Sequence, residues 1–177
     1  MARITINPGH HVELDCGAVG STGLREVDVN IAVARKLEQL LLEFGHEIHY
    51  VQSNDLQEIC DLSNSFGANL FVSIHCNAAT HDEAHGTETY YCAVSANGEH
   101  LAALIQEQIV ALGLADRGIK NTGLYVTRHA NATAVLVELA FLSNPTEEFM
   151  LGNENWQNQF AKAIYQGINE YLEAVAC

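Results

Sequence analysis

The chain has 177 residues, 48% of them apolar and 17% charged, which is the length and composition of one folded domain rather than a disordered segment. Its net charge is −14, with only eight lysines and arginines. That balance argues against nucleic acid as a partner, because phosphate binding needs clustered cations, and against adhesion to anionic surfaces. No run is apolar and long enough to span a membrane.

Strand and helix patterns alternate along the chain. This predicts an α/β fold: one domain over residues 1–177, with a twisted, mostly parallel sheet of about six strands and helices on both faces. Met1 leads directly into the first strand, residues 2–7, with no secretory leader pattern ahead of it. Asn7-Pro8-Gly9-His10 follows, where Gly9 permits a sharp turn that can present His10 at the sheet rim. Read alone, His10 is more simply a loop histidine with no ligand role. The first helix is expected over residues 26–44, with Val27, Ile31, Ala34, Leu37, Leu41 and Phe44 as its apolar stripe and Gly45 beyond its end. Glu26 opens that helix, where the dipole favours an ionised carboxylate. In isolation it is an ordinary first-turn acid.

A second strand spans residues 47–52. The next helix starts at Asp55, with Glu58 three positions on as a capping box, and stops at Gly67. The apolar strand 70–75 ends in His75. Asn77 just beyond suggests a polar pocket rather than a core. Strand 87–92 alternates more than its predecessors. A third helix runs from beyond Asn97 to before Gly113, and a short strand is expected over 124–127. Strand 134–139 is interrupted by Glu138, the sharpest single signal. A carboxylate inside Ala134-Val135-Leu136-Val137-Glu138-Leu139-Ala140 should be paired, metal-linked or catalytic. The bland alternative is an ion pair with Arg128 or Arg3. Asn144-Pro145-Thr146-Glu147 starts another helix, and the last covers residues 156–175.

The five cysteines (Cys16, Cys60, Cys76, Cys92 and Cys177) are odd in number and contain no CxxC pair. A disulfide framework is therefore not expected, Cys76 and Cys92 read as small core residues, and Cys177 reads as a free thiol.

In open α/β sheets ligands bind beyond the carboxyl ends of the strands. His10, His75 and Glu138 all fall at or near such ends, so residues distant in sequence should converge. Two histidines and a carboxylate form a catalytic zinc site with one open position, and a further glutamate supplies a general base. His11, Asn77, Arg128 and His129 are candidate substrate contacts around it.

Together these motifs resemble the zinc-dependent N-acetylmuramoyl-L-alanine amidases, the catalytic domains of bacterial autolysins and phage lysins. The likeness runs through Asn7-Pro8-Gly9-His10, Gly17-Ala18, Arg25-Glu26-Val27-Asp28-Val29-Asn30, Ser73-Ile74-His75-Cys76-Asn77-Ala78, Gly86-Thr87-Glu88-Thr89-Tyr90-Tyr91, Ala134 to Glu138, and Leu142-Ser143-Asn144. The resemblance implies one Zn²⁺ per chain on His10, Glu26 and His75, with Glu138 as catalytic acid and base and water as nucleophile. It implies peptidoglycan as substrate, cleaved between N-acetylmuramic acid and L-alanine at the bacterial wall by a monomer: a phage lysin, a mother-cell enzyme or an excised catalytic domain. The chain departs from the family pattern at Asn7, where Asp is usual, at His11, where Gly is usual, and at Thr133, where Pro is frequent. Three rivals stand beside this reading: a zinc exopeptidase, a non-catalytic wall-binding domain, and a thiol hydrolase using Cys76 or Cys92 with His75.

Overall fold

Strand β1 (Arg3–Pro8) carries Ile4 and Ile6 at zero exposure, and buried β3 (Leu70–Asn77) and β6 (Thr133–Phe141) flank it in turn as the centre of a six-stranded sheet. The computed structural model describes residues 1–176, so Cys177 lies outside the described residues. The remaining strands are β2 (Glu47–Tyr50), β4 (Thr87–Tyr91) and β5 (Asp116–Asn121), and the sheet order is β2-β1-β3-β6-β4-β5. All neighbours pair parallel except β4 and β6. The near-continuous apolar runs of β3 and β6 follow from this placement, since central strands of a parallel sheet are covered on both faces.

Helices α1 (Glu26–Glu43), α3 (Ala96–Val110) and α6 (Glu154–Val175) pack together on one face, with α5 (Pro145–Gly152) against α6. Helix α2 (Leu56–Phe66) and the single turn α4 (Tyr125–His129) cover the other. The larger core joins Ile4, Ile6 and Ile74 to Leu37, Leu41, Ile105 and Phe160. Each fully buried Ile or Leu there contributes about 1.5–3 kcal/mol relative to exposure. No described helix is long and apolar enough to cross a membrane.

The helix signals act as read. Asp55 caps α2 by accepting from the Gln57 and Glu58 amides, and Gly67 ends it in the left-handed region at φ 70°. Asn144 caps α5 ahead of Pro145. Two expectations are corrected. Residues 124–127 are not a strand: they enter α4, which turns Val126 down onto Ile59, Cys60 and Phe71. The fifth strand is instead β5, a polar edge segment. The apolar stripe of α1 ends at Leu41, because Phe44 lies past the helix, 62% exposed, and packs on Tyr165 at the surface. The four described cysteines are free.

Candidate metal centre

Three elements bring His10, Glu26 and His75 to one point on the sheet rim. Strand β1 ends at Pro8, the Gly9 amide donates to the Ile74 carbonyl, and His10 then turns out of the sheet. His10 adopts φ 67°, the only positive φ on a described non-glycine residue, which is a conformation retained at cost where surroundings demand it. Gly9 lets that turn lie under β3: a Cβ there would stand 2.1 Å from the His75 ring. Gly17, at φ 69°, similarly leaves room for Glu26 Oε2 and the His10 ring, which a Cβ would meet at 2.5 and 2.6 Å.

Glu26, the first residue of α1, is buried. Its Oε1 lies 3.1 Å from His10 Nε2 and 3.1 Å from His75 Nδ1. The imidazoles stand edge to face at 5.1 Å between centroids. One ligand atom from each of the three side chains falls within 4.8 Å of the others. Backbone amides anchor the carboxylate, Ala18 N donating to Oε2 at 2.9 Å and Cys76 N to Oε1 at 3.1 Å. Burial alone would raise the Glu26 pKa, but hydrogen bonds to His10 and His75 outweigh it and hold the group ionised far below the usual carboxylate range. The same contact with Glu26, opposed by burial and aided by Asp15, raises His10 to about 9. An anion held between two imidazoles is a donor set suited to a divalent cation, which would take the place of the protons now shared there. The residues present therefore fit zinc.

Glu138 sits directly across the ladder from His75 on β6. Its Oε2 is buried and has no hydrogen-bond partner. Burial first, and then the negative charges of Glu26 and Glu88, push its pKa up to about 8. Neither Arg3 nor Arg128 neutralises it: Arg3 pairs with Glu47 at 3.5 Å, and Arg128 makes no ion pair among the described residues. Asn77 points to the same region and donates to Glu88 Oε1 at 2.7 Å. His11, Arg128 and His129 do not join the metal cluster. His11 receives the Glu13 amide in the loop, Arg128 is exposed, and His129 stacks on Tyr125 at 4.0 Å.

Two residues near the site escaped sequence reasoning. Asp15 accepts from His10 Nδ1 at 2.8 Å and also from the Gly17 amide. A carboxylate on the far nitrogen of a metal-site histidine fixes its tautomer and ring orientation. Glu88, also buried, faces Glu138 across the β4–β6 ladder and collects Asn77, Tyr90 and Arg117. A cleft of about 340 Å³ opens beside His10 and His75 toward Ser53, Leu124 and Tyr125.

An α/β domain with two imidazoles and a carboxylate gathered at the sheet rim has a donor set that could hold a metal ion. The chain belongs to the N-acetylmuramoyl-L-alanine amidase family, whose model matches residues 4–170. It is 37% identical over 175 residues to N-acetylmuramoyl-L-alanine amidase LytC of Bacillus subtilis (strain 168), a match covering 95% of this chain and 35% of that protein. The chain thus spans about a third of that longer relative. Its fold superposes on N-acetylmuramoyl-L-alanine amidase from Clostridium difficile 630 with a TM-score of 0.90 at 34% identity, covering 98% and 97% of the two chains. The catalytic domain of the amidase CwlV from Bacillus (Paenibacillus) polymyxa var. colistinus matches at a TM-score of 0.91 and 35% identity, covering 98% and 99%.

Proposed function

We propose that this chain, as a monomeric catalytic domain over residues 1–177, hydrolyses the amide between N-acetylmuramic acid and L-alanine in bacterial peptidoglycan, using one zinc ion. Family membership supports the reaction. The observation that carries the chemistry is the trio His10, Glu26 and His75 with donor atoms within 4.8 Å, beside a carboxylate whose buried oxygen lacks a partner.

His10, Glu26 and His75 would hold the ion. Zinc bound there supplies a Lewis acid that brings the pKa of water toward neutrality and offsets charge on the amide oxygen. Asp15 orients His10 through Nδ1, and the Ala18 and Cys76 amides keep Glu26 aimed into the site. Glu138 is the general base and then the general acid. Its unpartnered Oε2 accepts the proton of the attacking water and returns it to the departing amine of L-alanine. Burial and the nearby charges of Glu26 and Glu88 hold the Glu138 pKa up at about 8, close to the neutral range where such transfer is efficient. Asn77, with His11, Arg128 and His129 farther out, supplies polar groups for the substrate.

The thiol alternative is disfavoured. Cys76 is buried, and burial together with Glu26 and Glu138 raises its thiol well above its ordinary value. Mass spectrometry of products from purified peptidoglycan tests the proposal. Free stem peptides with an L-alanine amino terminus, formed without chelator and absent with it, are expected. Cleavage elsewhere, or cleavage indifferent to chelator, overturns it.

A further inference from the structure

The two flanks of the metal centre differ in the groups that line them. On one side is the 340 Å³ cleft toward Leu124 and Tyr125, lined by no lysine or arginine. On the other side the sheet itself continues as a row of side chains. His75 on β3 lies opposite Glu138 on β6, Glu138 lies opposite Glu88 on β4, and Glu88 binds Arg117 at the start of β5. Because β4 and β5 run antiparallel to β6, their first residues reach the same rim as the last residues of β1 and β3.

Arg117 is held from three directions. Its Nε donates to Glu88 Oε2 at 3.0 Å, its Nη1 reaches the His85 carbonyl at 3.4 Å, and its guanidinium lies 4.7 Å from the centre of the Phe141 ring. Its Nη2 has no hydrogen-bond partner among the described residues, and its side chain is 40% exposed. Glu88 is in turn fixed by Asn77 and Tyr90. A buried carboxylate with three donors is an expensive mount for one surface arginine, and it leaves the Nη2 donors of a rigid, partly exposed fork unused. Among eight cationic side chains, Arg25 and Arg35 are paired with acids of α1, Lys36 with Glu154 of α6 and Arg3 with Glu47 away from the site, while Arg128 stands exposed on α4. Arg117 is the cation tied to the catalytic row.

The geometry points to Arg117 as a specificity-determining residue that reads a carboxylate on the peptide side of the scissile bond, with the uncharged sugar side directed to the opposite cleft. This rests on the amidase reading above. In a muramyl peptide the alanine is followed by a glutamate joined through its side chain, so its α-carboxyl is either a free anion or a neutral amide. Two strand spacings separate β6 from β5, about 10 Å, and two extended peptide units span about 7 Å. The arm of Arg117 covers the difference. A charge-assisted hydrogen bond to the carboxylate is worth about 10- to 100-fold in selectivity over the amide.

The test compares zinc-loaded wild type and Arg117→Gln on two soluble muramyl peptides that differ only in a free or amidated α-carboxyl at the second residue. Wild type is expected to prefer the acid about 10- to 100-fold in kcat/KM, mainly through KM, with the preference shrinking as salt rises. Arg117→Gln is expected to lose the preference, read as the ratio of kcat/KM on the two peptides within each protein, whatever its overall rate. Equal treatment of both peptides by wild type, a preference that survives in the variant, or an equal loss on both peptides overturns the inference. If Arg117→Gln does not fold, the wild-type preference and its salt dependence decide. Hydrolysis of neither peptide by wild type is a different failure, that of the amidase reading itself.

Discussion

Glu138 and His75 face each other across the parallel ladder of β3 and β6, just before the register shifts and Asn77 pairs with Phe141. In the proposed mechanism this pairing sets the proton-transfer group beside a metal ligand without any loop between them. Both side chains ride on the most buried strands of the sheet, so their separation is fixed by backbone hydrogen bonds.

Glu138→Gln keeps the shape and removes the base. Hydrolysis should fall at least about 10²–10⁴-fold while zinc content stays at the wild-type level. Metal analysis alongside a muropeptide assay checks both halves. Loss of zinc together with activity would make Glu138 a ligand instead.

The same substitution predicts a pH effect on the metal-free protein. Glu138 has a folded pKa near 8, above its ordinary value of 4.5. A group raised in this way favours the fold below its unfolded pKa, and that contribution is lost as pH climbs through the folded value. Wild type should therefore lose stability relative to Glu138→Gln between about pH 4.5 and 8. Thermal melts of both chelated proteins across that window measure the gap. A gap that closes as pH rises contradicts the assignment.

Asp15→Asn should weaken zinc binding about 10- to 100-fold, because His10 loses the carboxylate that orients it. Competition with a chromophoric chelator gives the affinity. Because Asp15 is exposed, the melting temperature of the metal-free variant should stay near that of wild type.

Gly9→Ala tests the backbone side of the site. The added methyl would stand 2.1 Å from the His75 ring, so the imidazole must leave its position. Zinc retention should drop while far-ultraviolet circular dichroism is unchanged.

Zinc itself should stabilise the fold. At free zinc 100-fold above Kd the linkage is about 2.7 kcal/mol, or roughly 5–10 °C in Tm for a domain of this size. Scanning calorimetry with and without chelator reads it directly.

The central strands, with His75 and Glu138 on them, were legible because burial leaves a plain record, whereas His10 and Glu26 stood out only through the family resemblance. An apolar run interrupted by Glu138, or closed by His75, has few explanations. The edge of the sheet left no such record. Strand β5 is Asp-Arg-Gly-Ile-Lys-Asn, exposed or half-buried throughout, so no apolar alternation marks it. Leu124-Tyr125-Val126-Thr127 looks strand-like, yet it forms a helical turn in which Val126 packs with Ile59 and Phe71 and Leu124 lies against them. Asp15 was invisible for another reason. Its carboxylate reaches His10 only because a bridge between His11 and Asp15 folds the loop back. The Glu88–Arg117 row likewise depends on β4 running antiparallel, a direction that residue pattern does not encode.

X-ray absorption at the zinc edge of the loaded protein, with metal stoichiometry, tests the metal centre most directly. One zinc per chain is predicted, with nitrogen and oxygen neighbours at about 2.0–2.2 Å and the nitrogen shell reduced in His75→Ala. A sulfur shell at about 2.3 Å, or a zinc signal unchanged by His75→Ala, would contradict a site built from His10, Glu26 and His75.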